Sequence, residues 1–137
     1  MYVIDASVYV SALQPAEADH AASRRLLADL QARQTPVACP TLVWAEVAAA
    51  LARGTHDPAL ARAAVSLLRR LPYHRYVPLD SALASMAAAA AARCQLRGAD
   101  AVYVALAQRL NWTLVTLDAE QSHRALPLVR VVRPGER

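Results

Sequence analysis

Met1-Tyr-Val-Ile-Asp5-Ala-Ser7 joins a short apolar run directly to an acid and to residues that commonly begin a helix. A second stretch of this kind, Thr113-Leu-Val-Thr-Leu-Asp118, lies near the end of the chain. β-Branched and aromatic residues favour strands, and an acid or a serine just after such a run is typical of a helix N-terminus. Both stretches therefore predict a strand that leads into a helix, with an acid at the junction.

Between these two stretches, apolar runs of strand length alternate with longer segments of helical periodicity. Strands are predicted at Met1–Asp5, Pro36–Cys39, Arg75–Leu79, Thr113–Leu117 and Leu128–Val132. Helices are predicted at Ser7–Leu13, Glu17–Arg33, Thr41–Arg53, Asp57–Leu71, Ser81–Arg97, Asp100–Leu110 and Ala119–Arg124, with Gly54 and Gly98 as stops. The chain has no hairpin signal such as Asn-Gly. This alternation predicts an α/β domain around a parallel sheet of five strands.

The length of 137 residues and the 56% apolar content predict a single domain with a real core, over residues 1–133, followed by a loose tail, 134–137. No segment is expected to span a membrane, because the longest uncharged stretch, Ser81–Ala92, is too short. Asp5 stands where a secretory signal would carry basic residues, so we expect a cytoplasmic protein. Cys39 and Cys94 have no metal-type spacing and are expected to be buried, reduced thiols.

The net charge is +4, and all fifteen basic residues are arginines. An excess of positive charge favours a polyanionic partner such as nucleic acid, although a compositional bias towards arginine would also explain the missing lysine. Four histidines, His20, His56, His74 and His123, fall in polar segments and are expected on the solvated surface. None has the partners that a general base requires.

Asp5 and Asp118 follow predicted strands, and the carboxyl ends of parallel strands meet at the sheet edge where α/β folds bind ligands. Each could instead be an ordinary helix N-cap. Glu46 has Leu42, Val43, Ala49 and Ala50 as its helical neighbours, so it is expected on an apolar stripe unless the helix phase differs. Asp100 begins a helix, where an N-cap role is again the alternative.

Clustered carboxylates repel one another, and without a cation some would stay protonated. Hard oxygen ligands suit Mg²⁺ or Mn²⁺. A divalent ion in such a site can activate water and stabilise charge on phosphoryl and leaving oxygens. The four acids together therefore favour hydrolysis of a phosphodiester.

In order and spacing, these residues resemble the PIN-domain ribonucleases, and the single short domain is similar to VapC-type toxins of toxin–antitoxin pairs. The motifs that carry the resemblance are Tyr2-Val-Ile-Asp5-Ala-Ser7, Trp44-Ala-Glu46-Val47, Asp100-Ala101 and Thr116-Leu-Asp118. The resemblance implies a three-layer α/β/α domain and an endoribonuclease dependent on Mg²⁺ or Mn²⁺. It also implies a homodimer and a small antitoxin partner that inserts a segment near the acids.

By this resemblance, Asp5, Glu46 and Asp100 match the three core acids, and Asp118 matches a more variable fourth. Ser7 and Thr116 match hydroxyl positions that support the acids. Some relatives carry a further acid or asparagine just past the last acid, where this chain has Ala119 and Glu120. Glu120 is interpreted as solvated, which leaves open whether one or two metals bind.

Other α/β chemistries lack their residues here. The chain has three glycines and no lysine, which excludes a dinucleotide-type Gly-rich loop and a phosphate loop with its lysine. Two alternatives stay open: a PIN-like module that binds RNA or protein without cutting, and a nuclease of RNA maturation that is not a toxin. Arg97 is a candidate phosphate ligand beside a helix N-terminus. Alternatively, Arg97 belongs to the last turn of the preceding helix, where the helix dipole favours a positive charge.

Overall fold

The computed structural model describes residues 1–136 and confirms the α/β class. Within these residues the strands are β1 Tyr2–Ile4, β2 Val37–Pro40, β3 His74–Val77, β4 Thr113–Val115 and β5 Val131–Val132. The helices are α1 Ala6–Leu13, α2 His20–Ala32, α3 Leu42–Thr55, α4 Pro58–Leu68, α5 Ser81–Cys94, α6 Gly98–Leu110 and α7 Ala119–Ala125.

The five strands form one parallel sheet in the order β3-β2-β1-β4-β5. From β1 the chain moves outward to β2 and β3, and it then returns to the other side of β1 to form β4. Because such crossovers are right-handed, α1 to α4 cover one face of the sheet, and α5 and α6 cover the other. The order therefore reverses between β1 and β4, which is where open α/β sheets form a crevice at their carboxyl edge.

Helix α6 is the central helix of its layer. Its residues 101–107 are all buried, and it packs against β1, β2, β4 and α5. A helix that is apolar on every side needs such an enclosed position. Packing fixes the helix in place, so Asp100 in its first turn is held at the carboxyl edge of the sheet.

Both glycines that were predicted as helix stops lie inside helices. Gly54 lies inside the last turn of α3, and the left-handed residue after the helix is His56, with φ 55°. Histidine is among the residues that tolerate this conformation, and its backbone N–H completes the helix by bonding to the carbonyl of Ala52. Gly98 is not a separator either, because it is the first residue of α6.

The last strand is shorter than predicted: the chain from Leu128 to Arg130 stays outside it, and only Val131–Val132 pair with β4. The predicted tail begins as a turn, in which the N–H of Glu136 bonds to the carbonyl of Arg133 at 3.0 Å. Arg137 lies outside the described residues. Over residues 1–136, no helix has the length and apolar character needed to cross a bilayer.

Candidate functional site

Asp5 and Asp118 lie side by side in the fold because β1 and β4 are neighbours. Ile4 pairs with Val115 in the sheet, and the N–H of Asp5 continues the ladder to the carbonyl of Val115 at 2.9 Å. Both acids also cap helices: Asp5 accepts from the N–H of Ser7, and Asp118 accepts from the N–H of Gln121. The capping alternative is therefore correct for both, and it coexists with a place at the sheet edge.

Asp5 is buried, with 6% of its surface exposed. Its Oδ2 accepts hydrogen bonds from the hydroxyl of Ser7 at 2.5 Å and from that of Thr116 at 3.3 Å. Burial raises the pKa of the Asp5 carboxyl, the bonds from Ser7 and Thr116 oppose this, and the charge of Asp100 adds to it. Within residues 1–136 no basic side chain forms an ion pair with Asp5. A buried carboxylate in this situation is expensive unless a cation compensates it.

Ser7 and Thr116, the two predicted supporting hydroxyls, tie the ends of β1 and β4 together. The Ser7 hydroxyl accepts from the N–H of Leu117 at 3.1 Å, and the Thr116 hydroxyl accepts from the N–H of Asp118 at 3.0 Å. Each hydroxyl also donates to Asp5. The two side chains therefore fix Asp5 relative to the loop that carries Asp118.

Glu46 reaches the same edge from α3. It is half-buried, and its Oε1 accepts a 2.6 Å hydrogen bond from the hydroxyl of Tyr103 on α6. Burial is the main cause that raises the pKa of Glu46, and the charges of Asp5 and Asp100 raise it further. The bond from Tyr103 lowers it. The repulsion shows that Glu46 shares an electrostatic environment with acids from two other elements.

Asp100 and Asp118 are joined by Arg97. The Nε of Arg97 donates to Asp100 at 2.9 Å, and its Nη2 donates to Asp118 at 2.5 Å. The hydrogen bond to Asp100 is the main cause that raises the pKa of the guanidinium. The pKa of Asp100 is nevertheless raised, because its desolvation outweighs the attraction of Arg97. With 64% of its side chain exposed, Arg97 pairs with these acids from the solvent side.

All four acids line one open pocket of about 530 Å³ at the carboxyl edge. The rest of its lining is small or basic: Ala6, Ser7, Val10, Ala45, Ala49, Ala50, Arg53, Arg97 and Ala99. The donor set, four carboxylates with supporting hydroxyls, is the kind that Mg²⁺ or Mn²⁺ prefers. In residues 1–136, however, no three such side chains stand close enough together to hold a metal ion as a group. Two of the acids are turned towards Arg97 and Glu46 is turned towards Tyr103.

Two alternatives from the sequence are wrong. Asp100 is not the N-cap of α6; the N-cap residue is Arg97, and Asp100 lies inside the first turn. Arg97 does not belong to the last turn of the preceding helix either, because α5 ends at Cys94. Glu120 is exposed and pairs with Arg124 at 2.8 Å, in agreement with the solvated interpretation.

The expectation that every histidine is solvated is wrong for His20 and His74, which are half-buried. His74 bonds through Nδ1 to the carbonyl of Pro72 and through Nε2 to the hydroxyl of Tyr9, both at 2.9 Å. A carbonyl only accepts, so Nδ1 carries a proton, and burial lowers the pKa of the ring. Cys39 is a buried free thiol as predicted, and burial raises its pKa to about 12. Cys94 is free but only half-buried.

Sequence reasoning missed three residues that shape the pocket. Tyr103 holds Glu46, and nothing in the spacing of the two residues pairs them. Gln121 is fully buried; its backbone N–H holds Asp118 at 2.9 Å, and its Nε2 bonds to the carbonyl of Asp100 at 3.4 Å. Arg53 lines the pocket from the last turn of α3. Its position seven residues after Glu46, on one helix face, was a readable signal.

The sequence matches the model of one protein family. The sequence model described as the PIN domain matches residues 2–126, which is most of the chain. A comparison with curated proteins by sequence gives no match.

Several solved structures share the fold. The VapC20 toxin of Mycobacterium tuberculosis, which cleaves the sarcin–ricin loop, superposes with a TM-score of 0.77 at 22% identity, over 98% of this chain and 100% of that one. FitAcB from Neisseria gonorrhoeae superposes with a TM-score of 0.75 at 21% identity, over 98% of this chain and 99% of that one. DNA-bound VapBC from Salmonella typhimurium superposes with a TM-score of 0.72 at 12% identity, over 96% of each chain.

Proposed function

Because this chain belongs to the PIN-domain family, we propose that it is a Mg²⁺- or Mn²⁺-dependent endoribonuclease and the toxin of a toxin–antitoxin pair. The observation that carries the proposal is the pocket in which Asp5, Glu46, Asp100 and Asp118 meet. Asp5 in particular is a buried carboxylate whose hydrogen-bond partners, within residues 1–136, are two hydroxyls and one backbone N–H. Such a group is best explained by a divalent ion that binds there during function.

The four acids would hold the metal. A divalent ion in this pocket would lower the pKa of a water molecule and stabilise negative charge on the phosphoryl and leaving oxygens. Ser7 and Thr116 keep Asp5 in one orientation, and Tyr103 does the same for Glu46. Asp5 is thereby held in advance by its hydroxyl partners, whereas Asp100 and Asp118 would have to leave Arg97 to reach a metal.

Arg97 is proposed as the phosphate ligand. Its guanidinium stands at the mouth of the pocket, exposed to solvent and close to the N-terminus of α6. If a cation drew Asp100 and Asp118 away from Arg97, the N–H groups of Arg97 would become free for an anion. A planar guanidinium matches the geometry of a phosphate, and the helix N-terminus favours negative charge at the same place.

The toxin role and the partners follow by analogy with proteins of the same fold. One solved structure of this fold is a toxin–antitoxin complex from Klebsiella pneumoniae, and VapC20 is a toxin that cleaves the sarcin–ricin loop. A small antitoxin and an RNA substrate are proposed for this chain on that basis, and a homodimer in the cytoplasm is proposed from the resemblance to VapC-type toxins. The net charge of +4 is compatible with a polyanionic substrate.

The test is cleavage of a defined RNA pool with Mg²⁺ or Mn²⁺, with and without chelator, followed by mapping of the cut ends. Asp5→Asn is the informative variant, because it removes one negative charge and retains the shape of the side chain. Asp29→Asn is its matched control, since Asp29 is exposed on α2 and does not line the pocket.

We expect metal-dependent cuts by the wild type and by Asp29→Asn, and no cuts by Asp5→Asn. Expression of the wild type should also arrest growth, whereas expression of Asp5→Asn should not. Cleavage that continues in chelator or in Asp5→Asn would remove the acid pocket from the reaction. RNA binding without cleavage by the wild type would favour the non-cutting module.

A further inference from the structure

We infer that Arg53 binds a phosphate of the substrate next to the one that is cut, and so sets how far the bound RNA extends along α3. This inference rests on the proposed ribonuclease function and adds a second contact site to it. Arg53 lines the pocket from the last turn of α3, whereas Arg97 lines it from the N-terminus of α6.

The face of α3 that borders the pocket carries lining residues at helical spacing. Glu46 lies at the inner end, Ala49 and Ala50 follow one turn later, and Arg53 follows after a second turn. Residues at this spacing share one face of a helix. Seven residues correspond to roughly 10 Å along the helix axis, so Arg53 and Glu46 contact different parts of a bound strand. The alanines leave the space between them open.

The chemistry of the lining indicates what occupies that space. Within residues 1–136 the pocket has no aromatic side chain on which a base could stack and no amide side chain that could read a base edge. It has two guanidiniums, those of Arg53 and Arg97, beyond its four acids. Phosphate contacts position a strand without reading its sequence, whereas RNA bases are recognised by stacking and edge contacts. The pocket is therefore built for the sugar–phosphate backbone.

Arg53 is available for such a contact. Its side chain is exposed, and within residues 1–136 no carboxylate forms an ion pair with it. The backbone beneath it is packed, because a Cβ added at the adjacent Gly54 would lie 3.0 Å from Nε2 of Gln14. Gln14 follows α1, so the end of α3 is held close against α1. The guanidinium is thus exposed and free of ion pairs within residues 1–136, while the backbone that carries it is packed against α1.

The variant is Arg53→Gln, which removes the charge and retains most of the stem. Its matched control is Arg109→Gln: Arg109 is also an exposed arginine in the last turn of a helix, α6, but it lies at the opposite edge of the sheet. Substrates are a dinucleotide with only the scissile phosphate and two trinucleotides that each add one phosphate, on the 5′ or the 3′ side.

We expect Arg53→Gln to lower kcat/KM by about tenfold on one of the trinucleotides, as for loss of a hydrogen bond to a charged group. The dinucleotide should be cut as by the wild type, and Arg109→Gln should match the wild type on all three. Equal losses on all substrates, or no loss on either trinucleotide, would overturn the inference while leaving the nuclease function intact.

A binding measurement separates the two proposals. Single-stranded RNA is titrated against Asp5→Asn and against Asp5→Asn/Arg53→Gln at several salt concentrations. The second protein should bind more weakly, and its log–log salt slope should be shallower by about 0.7, the value for one phosphate contact on a single strand. An unchanged slope would overturn the role of Arg53. Failure of the wild type to cleave any RNA would count against the nuclease alone.

Discussion

Tyr103 donates a hydrogen bond of 2.6 Å to Oε1 of Glu46, although the two residues are far apart in the chain and belong to helices on opposite faces of the sheet. Tyr103 is fully buried in the core, so its hydroxyl is a fixed point. A bond to an ionised carboxylate is stronger than a neutral one. The core of the domain therefore sets the orientation of an acid in the pocket.

Tyr103→Phe should raise the pKa of Glu46 further, because the hydrogen bond that it removes lowers this pKa more than the charge of Arg97 does. If the ionised form of Glu46 is needed, the acidic limb of the pH–rate profile should move to higher pH, with about a tenfold loss of rate below that limb. Initial rates of RNA cleavage across pH, with saturating Mg²⁺, provide the measurement. Tyr2→Phe serves as the control, and a superimposable profile would contradict this role for Tyr103.

Asp5→Asn should stabilise the protein in the presence of chelator, by on the order of 1 kcal/mol at neutral pH. Burial raises the pKa of Asp5 in the folded state. The native protein therefore binds this proton more tightly than the unfolded chain, and stability falls as pH rises from the unfolded pKa through the folded one. Asparagine avoids the charge and still caps α1.

Urea unfolding in chelator would measure this change, with Asp29→Asn expected within about 0.5 kcal/mol of the wild type. Added Mg²⁺ should reverse the order, because a ligand stabilises a native state by RT ln(1 + [L]/Kd), about 2.7 kcal/mol at 100 Kd. The wild type should gain more than Asp5→Asn. Destabilisation of the metal-free protein by Asp5→Asn would show that Asp5 is a structural cap only.

Arg97→Gln should have opposite effects on metal binding and on cleavage. In the wild type, Mg²⁺ has to displace Arg97 from Asp100 and Asp118. Without the guanidinium there is nothing to displace, so Mg²⁺ should bind more tightly. Both ion pairs are exposed to solvent and therefore weak, so the Mg²⁺ midpoint in a thermal-shift titration should fall by only about a few-fold. Cleavage should nevertheless slow, because the phosphate ligand is lost.

The two measurements on Arg97→Gln have distinct meanings. Weaker metal binding would show that Arg97 organises the acids rather than competing for them. Cleavage at the wild-type rate with tighter metal binding would leave Arg97 as a competitor only and would remove its phosphate role. Arg109→Gln again controls for the loss of one positive charge.

His74 should make the protein less stable in mild acid. Burial lowers its pKa in the folded state, so the unfolded chain takes up the proton first. The contribution of neutral His74 to the free energy of unfolding is therefore complete above the pKa of the ring in the unfolded chain, about 6.5. It is lost as pH falls through the pKa of the ring in the folded protein. Subtracting the His74→Asn stability curve from that of the wild type should isolate this slope. NMR titration of the ring checks it directly, and a ring that titrates above pH 6.5 would contradict it.

The sequence was sufficient for the fold class because alternating strand and helix periods are local properties of the chain. It was also sufficient to single out the four acids, since each interrupts an apolar pattern or ends a strand. Element ends were less accurate: α3 passes Gly54 and stops at His56. A glycine permits a left-handed residue, but hydrogen bonding and packing determine which residue adopts that conformation.

Composition and spacing by themselves determined that this is an α/β chain with acids at its strand ends, because hydrophobic period and helix capping depend on near neighbours. Only the tertiary structure determined how these acids are partnered. Tyr103 meets Glu46 because α3 and α6 reach the same edge of the sheet, and Arg97 reaches Asp118 because α6 packs against β4. Such contacts join residues that are distant in sequence, and their formation depends on the packing of the whole domain.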